Sequence, residues 1–135
     1  MRVLLAFLLP IAAISCQAPE YRLKDLTAIE VIDSVTVHNN SGDYELRPNE
    51  LNDFKAALGE MHYLPNASLK MGSIGLSVYT HGHEHYLTGS THGQYLAVSP
   101  SFITKHQDQA KAINGVLIFQ FDHHMNLDDY RKRPQ

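Results

Sequence analysis

Over residues 28 to 38 the apolar side chains Ile29, Val31, Val35 and Val37 fall on alternate positions, with Glu30, Ser34 and Thr36 among those between them. A period of two predicts a strand buried on one face, interrupted on that face by Asp33. Asn39-Asn40-Ser41-Gly42-Asp43 follows. These residues tolerate a left-handed backbone or bond their own main chain, so they predict a turn into a short returning strand through Tyr44, Glu45 and Leu46. The period then changes. Leu51, Phe54, Leu58 and Met61 form one stripe at helical spacing, opened by Pro48-Asn49-Glu50 and closed near Gly59, with Asn49 as the candidate cap.

Beyond a Pro65-Asn66 loop, Ile74, Leu76 and Val78 alternate with Ser73, Gly75, Ser77 and Tyr79, the clearest strand pattern in the chain. His81-Gly82 predicts a tight turn with residues 84 to 88 running back, and residues 94 to 99 predict a further strand. Ser99-Pro100 reads as a cap and first turn of a second helix, with Phe102, Ile103, His106, Ala110 and Ile113 on one face and Asn114-Gly115 as its stop. Residues 116 to 122 predict a last strand with Leu117, Phe119 and Phe121 facing the core. Strand, strand, helix, three strands, helix, strand, joined by hairpin-length links, predicts an α+β single small domain: a mainly antiparallel sheet with one or two helices packed on it.

The front of the chain follows neither pattern. Met1-Arg2 precedes a continuous apolar run from Val3 to Ile14, and Ser15-Cys16 ends it. A basic start, an apolar stretch and a small residue before a cut describe a secretion signal. The run is shorter than the roughly 20 apolar residues that a spanning helix needs. Ala13-Ile14-Ser15-Cys16 resembles the lipobox of bacterial lipoproteins, with Ala13 where leucine is commonest, and the resemblance covers this segment alone. It implies cleavage before Cys16 and acylation of that thiol, and the Gln17 that follows, in place of aspartate, implies an outer-membrane anchor facing the periplasm. Several acyl chains hold firmly because each buried methylene contributes about 0.8 kcal/mol. Cleavage that leaves a free thiol, and a retained anchor, are the competing readings. Acylation also accounts for the single cysteine in an exported chain, which has no partner for an internal disulfide.

The expected organisation is therefore a signal peptide at 1–15, a lipid-anchored tether at 16–26, one domain at 27–130 and a basic tail at 131–135. Removing the signal leaves 120 residues with 14 acids against 10 Lys and Arg. Such a balance offers no basic stripe for phosphates and argues against nucleic acid as a partner. Arg131-Lys132-Arg133 is expected to be a solvated tail.

Nine histidines give the most unusual local chemistry. Three of them lie in Thr80-His81-Gly82-His83-Glu84-His85, with His92 beyond and Asp122-His123-His124 near the end. On a hairpin, His83 and His85 point to one face and His81 sits at the turn; with His123, His124 or Asp122 completing the set, such donors suit Zn²⁺ or Cu²⁺. The competing reading is solvated turn residues. The segment lacks the Asp and the spacing of the His-x-His-x-Asp-His motif of metallo-β-lactamase-like hydrolases, and no catalytic residue is carried over from it. The serines occur without a Gly-x-Ser-x-Gly elbow, and the glycines form no phosphate loop. Tyr79, Tyr86 and Tyr95 would form a recognition surface if they share an exposed sheet face. The expectation is a non-enzymatic envelope lipoprotein without a cofactor, binding the membrane through Cys16 and an envelope protein through its sheet, as an inhibitor, immunity-type protein or assembly accessory. The alternative is a periplasmic metal-binding or metal-sensing lipoprotein.

Overall fold

The computed structural model describes residues 20–40, 42–67, 71–90, 94–110, 112 and 115–122. Among these, seven strands form one antiparallel sheet: β1 (Ile32–Asn39), β2 (Gly42–Glu45), β3 (His62–Leu64), β4 (Met71–Thr80), β5 (His83–Ser90), β6 (Tyr95–Val98) and β7 (Leu117–Gln120). The spatial order is β2-β1-β4-β5-β6-β7-β3. Two helices pack on it, the short α1 (Leu23–Leu26) and α2 (Pro48–Gly59), giving the α+β single domain that the patterning predicts.

Alternation sets which side of the sheet is covered. Val35 and Val37 of β1 pair with Val78 and Leu76 of β4, which in turn meets Leu87 of β5. Leu96 pairs with Phe119, and Val98 with Leu117. All of these side chains are buried, together with Phe54 and Leu58 of α2, in one core. Burying each large side chain contributes about 1.5–3 kcal/mol, so this face holds most of the folding drive. Asp33 does not intrude: the β1–β4 register shifts between Ile32 and Ser34, Asp33 is exposed, and its carboxylate accepts the His81 N–H at 2.8 Å.

The two tight hairpins have different chemistry. Thr80 pairs with His83, and His81 and Gly82 between them both lie in the left-handed region, at φ +50° and +82°. Two successive positive φ values are what a two-residue type I′ turn requires. The other hairpin joins Asn39 to Gly42, whose φ is +122°.

Helix α2 begins earlier than expected. Its cap is Arg47, with Pro48 in the first turn, and the Glu50 carboxylate reaches back to the Arg47 N–H at 3.0 Å. Tyr44 also donates its hydroxyl to Glu50. Asn49 is therefore not the cap. Phe54, Leu58 and Met61 of the expected stripe are fully buried, and Leu51 packs at its margin.

The expected second helix is replaced by a 3-10 turn over Pro100–Phe102 followed by irregular backbone. The Thr104 and Lys105 N–H groups both donate to the Leu26 carbonyl, at 2.8 and 2.9 Å, instead of to the preceding turn. His106 then takes φ +53°, which ends any helical continuation. Phe102, Ile103 and Ala110 still reach the core, so the apolar positions are buried without the helix. Ile113 lies outside the described residues.

The packed unit also starts earlier than residue 27. Leu23 and Leu26 are fully buried, the Leu23 N–H donates to Met61 at 2.9 Å, and the Tyr63 N–H donates to Tyr21 at 2.9 Å. Residues 21 to 26 thus belong to the domain, and Tyr21 to Leu23 cover the outer edge of β3. Arg22 and Lys24 both pair with Glu60, tying this segment to the end of α2. Residues 28 to 31, expected as strand, contribute a 3-10 turn over Ile29–Val31 before β1 begins.

Candidate binding face of the sheet

Opposite the core, the same alternation presents a polar face. The register puts Asp43 beside His38 and Glu45 beside Thr36. His38 lies beside Gly75, and Thr36 beside Ser77. Ser77 stands opposite Tyr86, and Tyr79 opposite Glu84. Thr88 meets Ala97 on β6, and Tyr95 meets Gln120 on β7. Because side chains two apart share a face, Tyr79, Tyr86 and Tyr95 lie on one side of the sheet, the side away from α2. Tyr86 is the large apolar side chain that stands out to solvent, 57% exposed.

The centre of this face is a connected set of hydrogen bonds. His38 sits between two partners, Nδ1 at 2.8 Å from Asp43 Oδ1 and Nε2 at 2.7 Å from Ser77 Oγ. Tyr79 donates its hydroxyl to Glu84 at 3.1 Å, on the neighbouring strand. The Ser77 hydroxyl, then that of Tyr79, holds the Glu84 carboxyl below the ordinary glutamate value, with desolvation opposing and His38 assisting. Reciprocally, the bond to Glu84, then desolvation and the Glu84 charge, push the Tyr79 phenol above its ordinary value, with Ser77 opposing.

Asp43, His38 and Ser77 stand in the order of a nucleophile relay. Two features work against that use. Ser77 is only 1% exposed, and the group beside its hydroxyl is a carboxylate, where a developing oxyanion needs donors. The network's evident effect is to lock side chains on four neighbouring strands, β2, β1, β4 and β5, providing a rigid floor for the tyrosines.

Tyr86 is placed by a missing side chain. A Cβ built on Gly75 would lie 2.6 Å from Tyr86 Cζ and closer still to its hydroxyl. The ring therefore crosses β4 over a position that only glycine leaves open, near the His38 ring at a centroid distance of 6.1 Å and an interplanar angle of 27°. Farther along, Tyr95 accepts a long 3.4 Å hydrogen bond from Gln120.

Around Tyr86 the exposed charges of this face are carboxylates, with His38 the basic group among them. Asp43, Glu45 and Glu84 are exposed, and no strand position of the face, among the described residues, is Lys or Arg. Arg22 stands at the far edge of the sheet beside His62, on Glu60 and 3.8 Å from Asp122; Lys24 also pairs with Glu60, and Lys55 bonds the carbonyls of Ile32 and Glu30 at 3.0 and 3.2 Å.

The histidine hairpin forms as expected in outline. His83 and His85 share a face, and His81 is in the turn. However, His85 Nε2 is 3.0 Å from Thr80 Oγ1 and its ring packs 5.1 Å from Phe102, so it serves local structure. Asp122 is not alongside. β6 lies between β5 and β7, and the register carries Asp122 toward the Ser90 end of β5, where it bonds His62 at 2.8 Å. Among the described residues no group of three or more His, Cys, Asp or Glu side chains is arranged to hold a metal ion. His92, His123, His124 and Cys16 lie outside the described residues. No described helix is long and apolar enough to cross a membrane.

Residue type and spacing do not bring His38, Asp43, Ser77 and Glu84 together. The signal that finds them is turn length: the short links from Asn39 to Gly42 and from Thr80 to His83 fix the register that sets His38 opposite Asp43 and Tyr79 opposite Glu84. No protein-family model, curated protein or solved structure matches this chain.

Proposed function

We propose that this protein is a small lipid-anchored protein of the bacterial envelope that binds a macromolecular partner through the tyrosine-bearing face of its sheet. The lipobox-like segment ending at Cys16 supports the anchor. The observation that carries the binding role is that Tyr79, Tyr86 and Tyr95, scattered over three strands, fall on one face, opposite the face that α2 and the core occupy. Tyrosine suits such a surface because its ring gives contact area at low entropic cost while its hydroxyl stays wet. An inhibitor, an immunity-type protein or an assembly accessory would each use a rigid face of this kind without chemistry of its own.

The test is capture from the native envelope with the full-length protein and with a Tyr86→Ala, Tyr95→Ala double variant, alongside an Asp53→Ala control on the exposed side of α2. A partner retained by the parent and the control but lost by the double variant supports the reading. Retention by all three, or by none, refutes it. Mass spectrometry of the mature N-terminus tests the anchor separately, with diacylglycerol and acyl masses on Cys16 expected.

A further inference from the structure

Resting on that reading, we infer that the face takes a cationic protein segment, with a lysine or arginine side chain seated on the patch bounded by Tyr86, Glu84 and Asp43. Three observations converge on this chemistry. The patch carries exposed carboxylates from two strands, Asp43 on β2 and Glu84 on β5, with Glu45 beside them. No Lys or Arg occupies the described strand positions of that face, where His38, 2.8 Å from Asp43, is the basic partner, whereas Glu60 elsewhere holds two cations. Lastly, the Tyr86 ring is fixed across Gly75 with more than half its surface in solvent. A tyrosine ring in that position offers its negative π face to a cation while the neighbouring carboxylates supply the counter-charge.

The arrangement also discriminates. An acidic segment would meet like charge at Asp43, Glu45 and Glu84. A neutral glycan would gain the ring but would leave the exposed carboxylates without a cation. Arginine fits best, because its planar group stacks on an aromatic ring and still offers N–H donors at its edge.

The experiment titrates the full-length protein, held in detergent, with a lysine- and arginine-rich peptide, a glutamate-rich peptide of the same length and a neutral chito-oligosaccharide. Binding is followed by the backbone amide resonances of β1, β4 and β5, which every variant retains. The expected result is saturable binding of the basic peptide alone, weakening as ionic strength rises. Glu84→Gln and Tyr86→Ala should each weaken it about two- to five-fold, the size of an exposed cation–π contact, and Tyr86→Phe should retain it. Gly75→Ala, which removes no charge, should weaken it as Tyr86→Ala does. Basic-peptide binding that is indifferent to Tyr86→Ala and Gly75→Ala, or preferential binding of the glutamate peptide or the glycan, overturns the inference. That failure is distinct from failure of the binding face itself: a native partner lost on Tyr86→Ala, Tyr95→Ala substitution but carrying no basic segment at the contact would refute only the cationic assignment.

Discussion

The Tyr86 ring occupies the space that a Cβ at Gly75 would take, its Cζ only 2.6 Å from that position. The contact is between diagonal neighbours on adjacent strands, and it converts a glycine, usually a weak point in a strand, into the seat of an exposed aromatic ring.

Gly75→Ala should therefore leave the fold intact while moving the ring. Alanine at an extended position gains about 0.5–1 kcal/mol over glycine through backbone entropy, offset by loss of the ring contact, so the net stability change is expected within about 1 kcal/mol. Chemical denaturation measures that, and loss of cross-strand NOEs between Tyr86 and residue 75 reports the displaced ring. A large loss of stability with an unmoved ring would contradict this account.

The polar network makes a paired prediction in pH. Glu84 is held below the ordinary glutamate value near 4.5 by Ser77 and Tyr79, so its stabilising contribution is present above that value and is lost as pH falls through the lowered one. Glu60 is lowered in the same direction, first by its bond from Lys24. Tyr79 is raised above 10.0, first by its bond to Glu84, so its contribution is present below pH 10 and lost as pH rises through the raised value. Carbon-detected titration should show Ser77→Ala moving Glu84 back up. Ultraviolet titration should show Glu84→Gln moving the Tyr79 phenol down. No movement in either variant would mean that these bonds do not form in solution.

The core gives the largest effect on stability. Phe54 is fully buried on α2, and Phe54→Ala should cost about 3–5 kcal/mol, seen as a lower denaturation midpoint at unchanged slope. Tyr86→Ala, at an exposed position, should cost far less. This contrast matters, because it lets loss of binding in Tyr86 variants be read as loss of contact.

Strand content was legible because the period of two survives in Val35, Val37, Leu76 and Val78, where one face is dry. The grouping of Tyr79, Tyr86 and Tyr95 followed from parity, conditional only on the hairpins. The segment after Ser99 misled, since Phe102, Ile103 and Ala110 satisfy a helical spacing equally well when a distant acceptor, the Leu26 carbonyl, takes the Thr104 and Lys105 N–H groups. That bond is tertiary and leaves no trace in local pattern. β3 was missed for a similar reason: three half-buried residues carry too little alternation, and pairing with β7 and with Tyr21 makes the strand. The histidine hairpin was legible from local sequence, whereas the place of Asp122, carried to His62 instead of to His83, depends on strand order.

Site-specific photocrosslinking in the native envelope tests the central claim most directly, with the probe placed in turn at positions 79, 86 and 95 of the sheet face and at the exposed position 53 of α2. The account predicts one common adduct from the three tyrosine positions, and none from position 53. Adducts from position 53 with silence at 79, 86 and 95 would show that the partner contacts the helical side and that the tyrosine face is not the binding surface.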